Sequence, residues 1–86
     1  MKLISYESLF AYLQNLGFRE SSSSEFERVF EHAEANVLLA FSMLDDSNEN
    51  REVRGADVLS AQFQLQQSGL LDGKLVDAIN AGVRES

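Results

Sequence analysis

Residues 36–44, Asn-Val-Leu-Leu-Ala-Phe-Ser-Met-Leu, form the most apolar run of an 86-residue chain, and they limit what the rest can do. Both parities of the run are apolar. As a strand it has both faces covered, or one covered and the other turned to a partner. A helical reading of residues 29–44 competes, because Ala and Leu are good helix formers. The turn-like break at Ala33-Glu34-Ala35-Asn36 and the aromatics favour a strand over Asn36–Leu44. Asn36 tolerates the positive φ that such a turn asks for. Before the turn, Glu25–Ala33 reads as a second strand. Phe26, Arg28, Phe30 and His32 share one parity; Glu25, Glu27, Val29 and Glu31 share the other, which makes one face acidic and wet.

Helices flank these strands. Ser5 is a good N-cap, Glu7 suits the positive end of the helix dipole, and Ile4 and Leu9 have hydrophobic-staple spacing. Leu9, Phe10, Leu13 and Leu16 form one apolar stripe, and Gly17 ends the helix, predicted over Tyr6–Leu16, with Phe18 folding back on Leu13. A second helix is predicted over Ala56–Ser68, with Val58, Ala61 and Leu65 along one stripe and Leu59 and Phe63 widening it; Gly69 and Leu70 repeat the same ending. Asp72 then caps a short third helix over Gly73–Ala81, with Leu75, Val76 and Ile79 inward, and Gly82 ends it. Phe18–Ser24, with four serines, reads as a flexible loop, with a short polar edge strand as the alternative.

The expected architecture is a small single α+β domain, α-β-β(-β)-α with a short C-terminal helix. Its antiparallel sheet is covered on one face by helices. The domain takes in residues 1–86, with a core over about 5–81 and a tail at 82–86. Leu13, Leu16, Phe30, Leu39, Phe41, Leu59 and Phe63 are expected in the core. All six phenylalanines, Phe10, Phe18 and Phe26 included, read as packing residues rather than stacking platforms.

Charge is distributed unevenly. The net charge is −7, and residues 20–52 hold nine acids against Arg28 and Arg51, which accounts for all of it. One reading is a solvated face that maintains solubility. The other is an acidic docking surface for a basic partner, centred on Glu25, Glu27, Glu31 and Glu34. The same balance argues against a nucleic-acid partner, since binding phosphates takes clustered Lys and Arg, and here Arg51 and Arg54 flank Glu52.

Few catalytic constellations can be assembled. There is no Cys, so disulfides, thiolate nucleophiles and zinc fingers are excluded, and no sign of an oxidising compartment appears. His32 is the single histidine. It lacks a second nitrogen or sulfur ligand, no Gly-x-Ser-x-Gly elbow accompanies it, and its place near a turn reads as structural, with a general base as the alternative. The glycines are isolated and build no phosphate loop. Asp46, Asn48 and Asn50 alternate as in an EF-hand, but Arg51 stands where the loop needs glycine and Asp57 where it needs glutamate, so Asp45–Glu52 reads as a solvated loop. No apolar run approaches the ~20 residues of a membrane span and no signal peptide is visible. A cytoplasmic protein without a cofactor is expected.

One family shares this pattern. Leu13-Gln14-Asn15-Leu16-Gly17-Phe18, then Arg28-Val29-Phe30-Glu31-His32, then a closing helix to Gly69-Leu70 resemble the HicA-type toxins, small α-β-β-β-α domains akin to double-stranded-RNA-binding domains. The resemblance spans roughly residues 5–71. Members cleave RNA with a histidine in a Gly-Ser-His-His-like stretch opening the second strand. Here Glu25, Phe26, Glu27 and Arg28 occupy those positions, and His32 lies further on, so the resemblance does not carry the cleavage with it. The function expected is that of a small acidic, non-enzymatic binding or accessory domain. It acts through protein contact or self-association as a homodimer, one version being a phage-type inhibitor whose carboxylates imitate nucleic-acid phosphates. The alternative is a degenerate HicA-like RNA-cleaving domain using His32, or Tyr6 and Tyr12.

Overall fold

Helix α1 (Tyr6–Asn15) starts where the capping chemistry demands. The Ser5 hydroxyl accepts the Ser8 N–H at 3.2 Å while the Ser8 hydroxyl accepts the Ser5 N–H at 3.2 Å, a reciprocal box with serine in place of the usual Glu or Gln. Ile4 and Leu9 are both buried, as the staple requires. At the other end Phe18 donates its N–H to the Leu13 carbonyl at 3.0 Å, Gly17 donates to Gln14 at 3.1 Å, and Gly17 takes φ +106°. That is the Schellman ending. Leu16 becomes the C-cap and is half-buried instead of fully so.

The computed structural model describes residues 4–24, 26–43 and 50–85. Three antiparallel strands follow α1 in the spatial order β1-β2-β3. Strand β1 (Arg19–Ser23) replaces the expected serine-rich loop. Serine has little strand preference of its own, so the strand exists because β2 offers it a ladder; a bulge between Glu20 and Ser22 marks the weak match. Strand β2 (Glu27–His32) and strand β3 (Val37–Ser42) form a hairpin in the register Phe30 opposite Leu39, closed by a turn with Asn36 at φ 58°. Phe30, Val37, Leu39 and Phe41 face inward and are buried; Glu27, Glu31, Leu38 and Ala40 face outward and are exposed. Of the two outcomes open to the apolar run, one covered face is the outcome seen. Phe26, expected in the core, precedes β2 and is 54 % exposed.

Helix α2 (Gly55–Gln67) lays Ala61 and Leu65 into the core, with Val58 half-buried. Leu59 and Phe63, expected to join them, are 67 % and 60 % exposed. At 100° per residue these two lie on the far side of the helix from Ala61 and Leu65, beyond the arc its neighbours cover. Gly69 at φ +80° ends the helix, and the N–H groups of Leu70 and Leu71 both donate to the Leu65 carbonyl. Helix α3 (Leu75–Glu85) begins later and runs further than the Gly73–Ala81 expected. Its first N–H, at Leu75, donates to the Gln62 side-chain oxygen at 2.9 Å, so a residue of α2 takes the role expected of Asp72. Gly82 does not end the helix but stays inside it, and residues 82–85 continue it instead of forming a tail.

The inner sheet face meets α1 through aromatic rings. Phe10 lies 4.9 Å from Phe30 and 5.6 Å from Phe41 between centroids, and Tyr6 meets Phe41 edge-on at 6.4 Å. These are the separations aromatic pairs prefer. The result is the expected α+β layering, with one sheet face under helices. Of the EF-hand-like stretch, Asp46 and Asn48 lie outside the described residues.

Candidate functional site

Because β2 alternates, its outward carboxylates form a row with fixed neighbours. The register sets Arg19, Glu31 and Leu38 side by side across the outer face, then Ser22, Val29 and Ala40, then Glu27 beside Ser42. Glu34 is exposed in the turn at the same end as Glu31. Among the described residues nothing covers Glu27, Glu31, Leu38 or Ala40. Three of the four acids singled out from the sequence, Glu27, Glu31 and Glu34, thus lie on the solvent side of one hairpin; Glu25 lies outside the described residues. A shallow depression of about 280 Å³ at this end is lined by Arg19, Glu20, Ser21, Glu31 and Ala33. It is smaller than the roughly 300–1,000 Å³ of small-molecule sites, and both signs of charge line it.

Glu20, which borders that depression, and Arg28 lie half-buried on the inner side of the sheet. They turn inward, the guanidinium making a two-pronged pair with the carboxylate, one prong at 3.0 Å, and lying 4.7 Å over the Phe10 ring. The pair fastens the edge strand β1 to the core by charge where the serines offer no apolar anchor.

His32 is buried beneath the hairpin turn. Its Nδ1 accepts the Ala35 N–H at 3.1 Å, which leaves the proton on Nε2 to be donated to the Leu16 carbonyl at 3.0 Å. The ring also stands edge-on to Phe18 at 5.1 Å. One histidine therefore ties the end of α1 to the β2–β3 turn, and both nitrogens are spent doing so.

A second polar cluster had no sequence signal. The Tyr6 hydroxyl donates to Asp57 Oδ2 at 2.5 Å and accepts the Arg54 N–H at 3.3 Å, while Arg54 Nε reaches the same carboxylate oxygen at 3.2 Å. The Arg54 guanidinium also donates to the Ser42 carbonyl, and the Arg51 guanidinium covers the Tyr6 ring at 4.7 Å. Burial, and then the hydrogen bond to Asp57, push the Tyr6 hydroxyl above its ordinary range. Tyr6 and Asp57 are 51 positions apart, so no local spacing reports their contact. The cluster is a clasp joining the starts of α1 and α2 to the end of β3. Tyr12, half-buried, is likewise shifted up by burial.

Among the described residues no group of three or more His, Asp or Glu side chains could hold a metal ion. No helix among them is long and apolar enough to cross a membrane. No protein-family model matches the chain, and no curated protein or solved structure matches it.

Proposed function

We propose that the chain is a small acidic protein-binding domain, non-catalytic and cytoplasmic, that docks a basic partner surface on the open face of its β2–β3 hairpin. The observation that carries this reading is the placement of Glu27 and Glu31 on the uncovered sheet face, flanking half-buried Val29, with Leu38 and Ala40 beside them. An apolar centre rimmed by charge is the usual make-up of a binding patch. The ladder fixes the backbone beneath Glu27 and Glu31, so docking has only their side chains to order, at about 0.5–1.5 kcal/mol each. An inhibitor that presents Glu27, Glu31 and Glu34 where a target expects phosphates is the more specific form of the same proposal.

The alternative, an RNA-cleaving domain of the HicA-like kind, is favoured by the helix–three strands–helix order alone. Its chemistry has little to work with: His32 has both ring nitrogens engaged and the Tyr6 hydroxyl is bound to Asp57. Capture of partners from a lysate of the organism that makes the protein, at low and high salt, tests the docking reading. One stoichiometric basic protein is expected, lost at high salt and lost with the triple variant Glu27→Lys, Glu31→Lys, Glu34→Lys. Capture indifferent both to salt and to the three substitutions contradicts the proposal.

A further inference from the structure

The two edges of the sheet differ in how they are guarded. Strand β1 carries Arg19 and Glu20 and a bulge, devices that discourage pairing with another strand. Strand β3, Val-Leu-Leu-Ala-Phe-Ser, carries no charge, no proline, no glycine and no bulge. The direction of its backbone follows from one bond. Met43 donates its N–H to the Phe26 carbonyl at 2.7 Å, and in an antiparallel ladder bonded pairs alternate with unbonded ones. Phe41, Leu39 and Val37 therefore exchange bonds with β2, while Leu38, Ala40 and Ser42 direct their N–H and C=O groups away from it. The Ser42 carbonyl accepts from Arg54. The outward groups of Leu38 and Ala40 find no partner among the described residues.

We infer that β3 pairs antiparallel with β3 of a second copy of this chain, joining two three-stranded sheets into one of six strands. The strand is complementary to itself. With a two-fold axis at Leu39, Leu38 and Ala40 of one copy exchange bonds with Ala40 and Leu38 of the other, four bonds in all, and Ser42 stays with Arg54. Each neighbour across the seam is apolar: Val37 beside Phe41, Leu38 beside Ala40, Leu39 beside its own equivalent. The register also keeps the acidic rows apart. Glu31 of one copy shares its row with Val29 of the other, three strand spacings or roughly 14 Å away, beyond the ~8 Å screening length of physiological salt. The residual cost is long-range repulsion between two chains of net charge −7, which salt reduces.

Sedimentation velocity of the full chain over a range of concentrations, at low and high salt, tests this. The expected result is a monomer–dimer equilibrium around the 9.6 kDa monomer that shifts toward dimer as salt rises. Ala40→Pro removes an outward donor without touching the β2 ladder, and Leu38→Lys places a charge at an exposed seam position. Each is expected to weaken association about tenfold or more, with circular dichroism and melting unchanged. Phe63→Lys, on the outer side of α2, is expected to leave it alone. A monomer at every concentration and salt overturns the inference, and so does a dimer that survives both edge variants or is abolished by Phe63→Lys. The pairing stands apart from partner docking: the triple Glu→Lys variant is expected to keep it, and salt acts on the two in opposite directions.

Discussion

Replacing Gly17 with alanine brings two separate costs to bear on the end of α1. The residue sits at φ +106°, where a side chain is strained, at about 1–3 kcal/mol. A Cβ there would also lie 3.0 Å from Nε2 of His32, the nitrogen that donates to the Leu16 carbonyl. The ring is buried and held at both nitrogens, so making room weakens one or both bonds, each worth about 0.5–1.5 kcal/mol. The expected loss is about 2–4 kcal/mol, a large part of the roughly 4–13 kcal/mol that a chain of this length has in hand. At ~4–8 °C per kcal/mol, thermal unfolding should show a fall in Tm of about 10–25 °C, and urea unfolding a lower midpoint. A double-mutant cycle separates the costs. In a His32→Ala background the space is open and only the backbone strain remains, so the two substitutions should couple by about 0.5–2 kcal/mol. A Gly17→Ala variant that loses less than about 0.5 kcal/mol, or the same amount in both backgrounds, contradicts a steric conflict between a Cβ at position 17 and the His32 ring.

Phe41 touches Phe10, Phe30 and Tyr6, and Phe41→Ala should cost about 3–5 kcal/mol in chemical denaturation; an unchanged midpoint would place β3 wrongly. Stability should be independent of the tyrosines below about pH 10, the ordinary value, and fall above it. Folding raises the Tyr6 and Tyr12 values, so both hold their protons longer in the folded chain, and the stability this supplies is lost as pH climbs through the folded-state values. Tyr6→Phe should remove part of that alkaline loss, and an identical pH profile would contradict the clasp. Leu59→Lys and Phe63→Lys should each change stability by no more than about 0.5 kcal/mol, where core positions would lose several times that.

Elements specified by neighbours in the chain were legible in the sequence. Ser5, Gly17-Phe18 and Gly69-Leu70 form their caps with residues three to five positions away, and Asn36 supplies the positive φ of its turn. Parts specified across the fold were not. Strand β1 rests on the β2 ladder and on the inward Glu20–Arg28 pair, neither of which its serines announce. The start of α3 is capped by Gln62, 13 positions away, so the local candidate Asp72 is misleading. Periodicity identified Val58, Ala61 and Leu65 as one face of α2, but the width of that face is set by what packs against it, and Leu59 and Phe63 fall outside. In the candidate site, the alternation of β2 was enough to turn Glu27 and Glu31 outward together. The fixed rows that set them beside Leu38 and Ala40 depend on the hairpin register.

The docking reading is tested most directly by amide chemical-shift mapping of the labelled full chain, titrated with an arginine-rich peptide at low and high salt. Shifts confined to Glu27, Val29, Glu31, Leu38 and Ala40, and weakened by salt, are the expected result. Shifts spread equally over Glu7, Asp72 and Asp77, acids exposed elsewhere on the surface, would show that the open hairpin face is no more a binding site than the rest of an acidic protein.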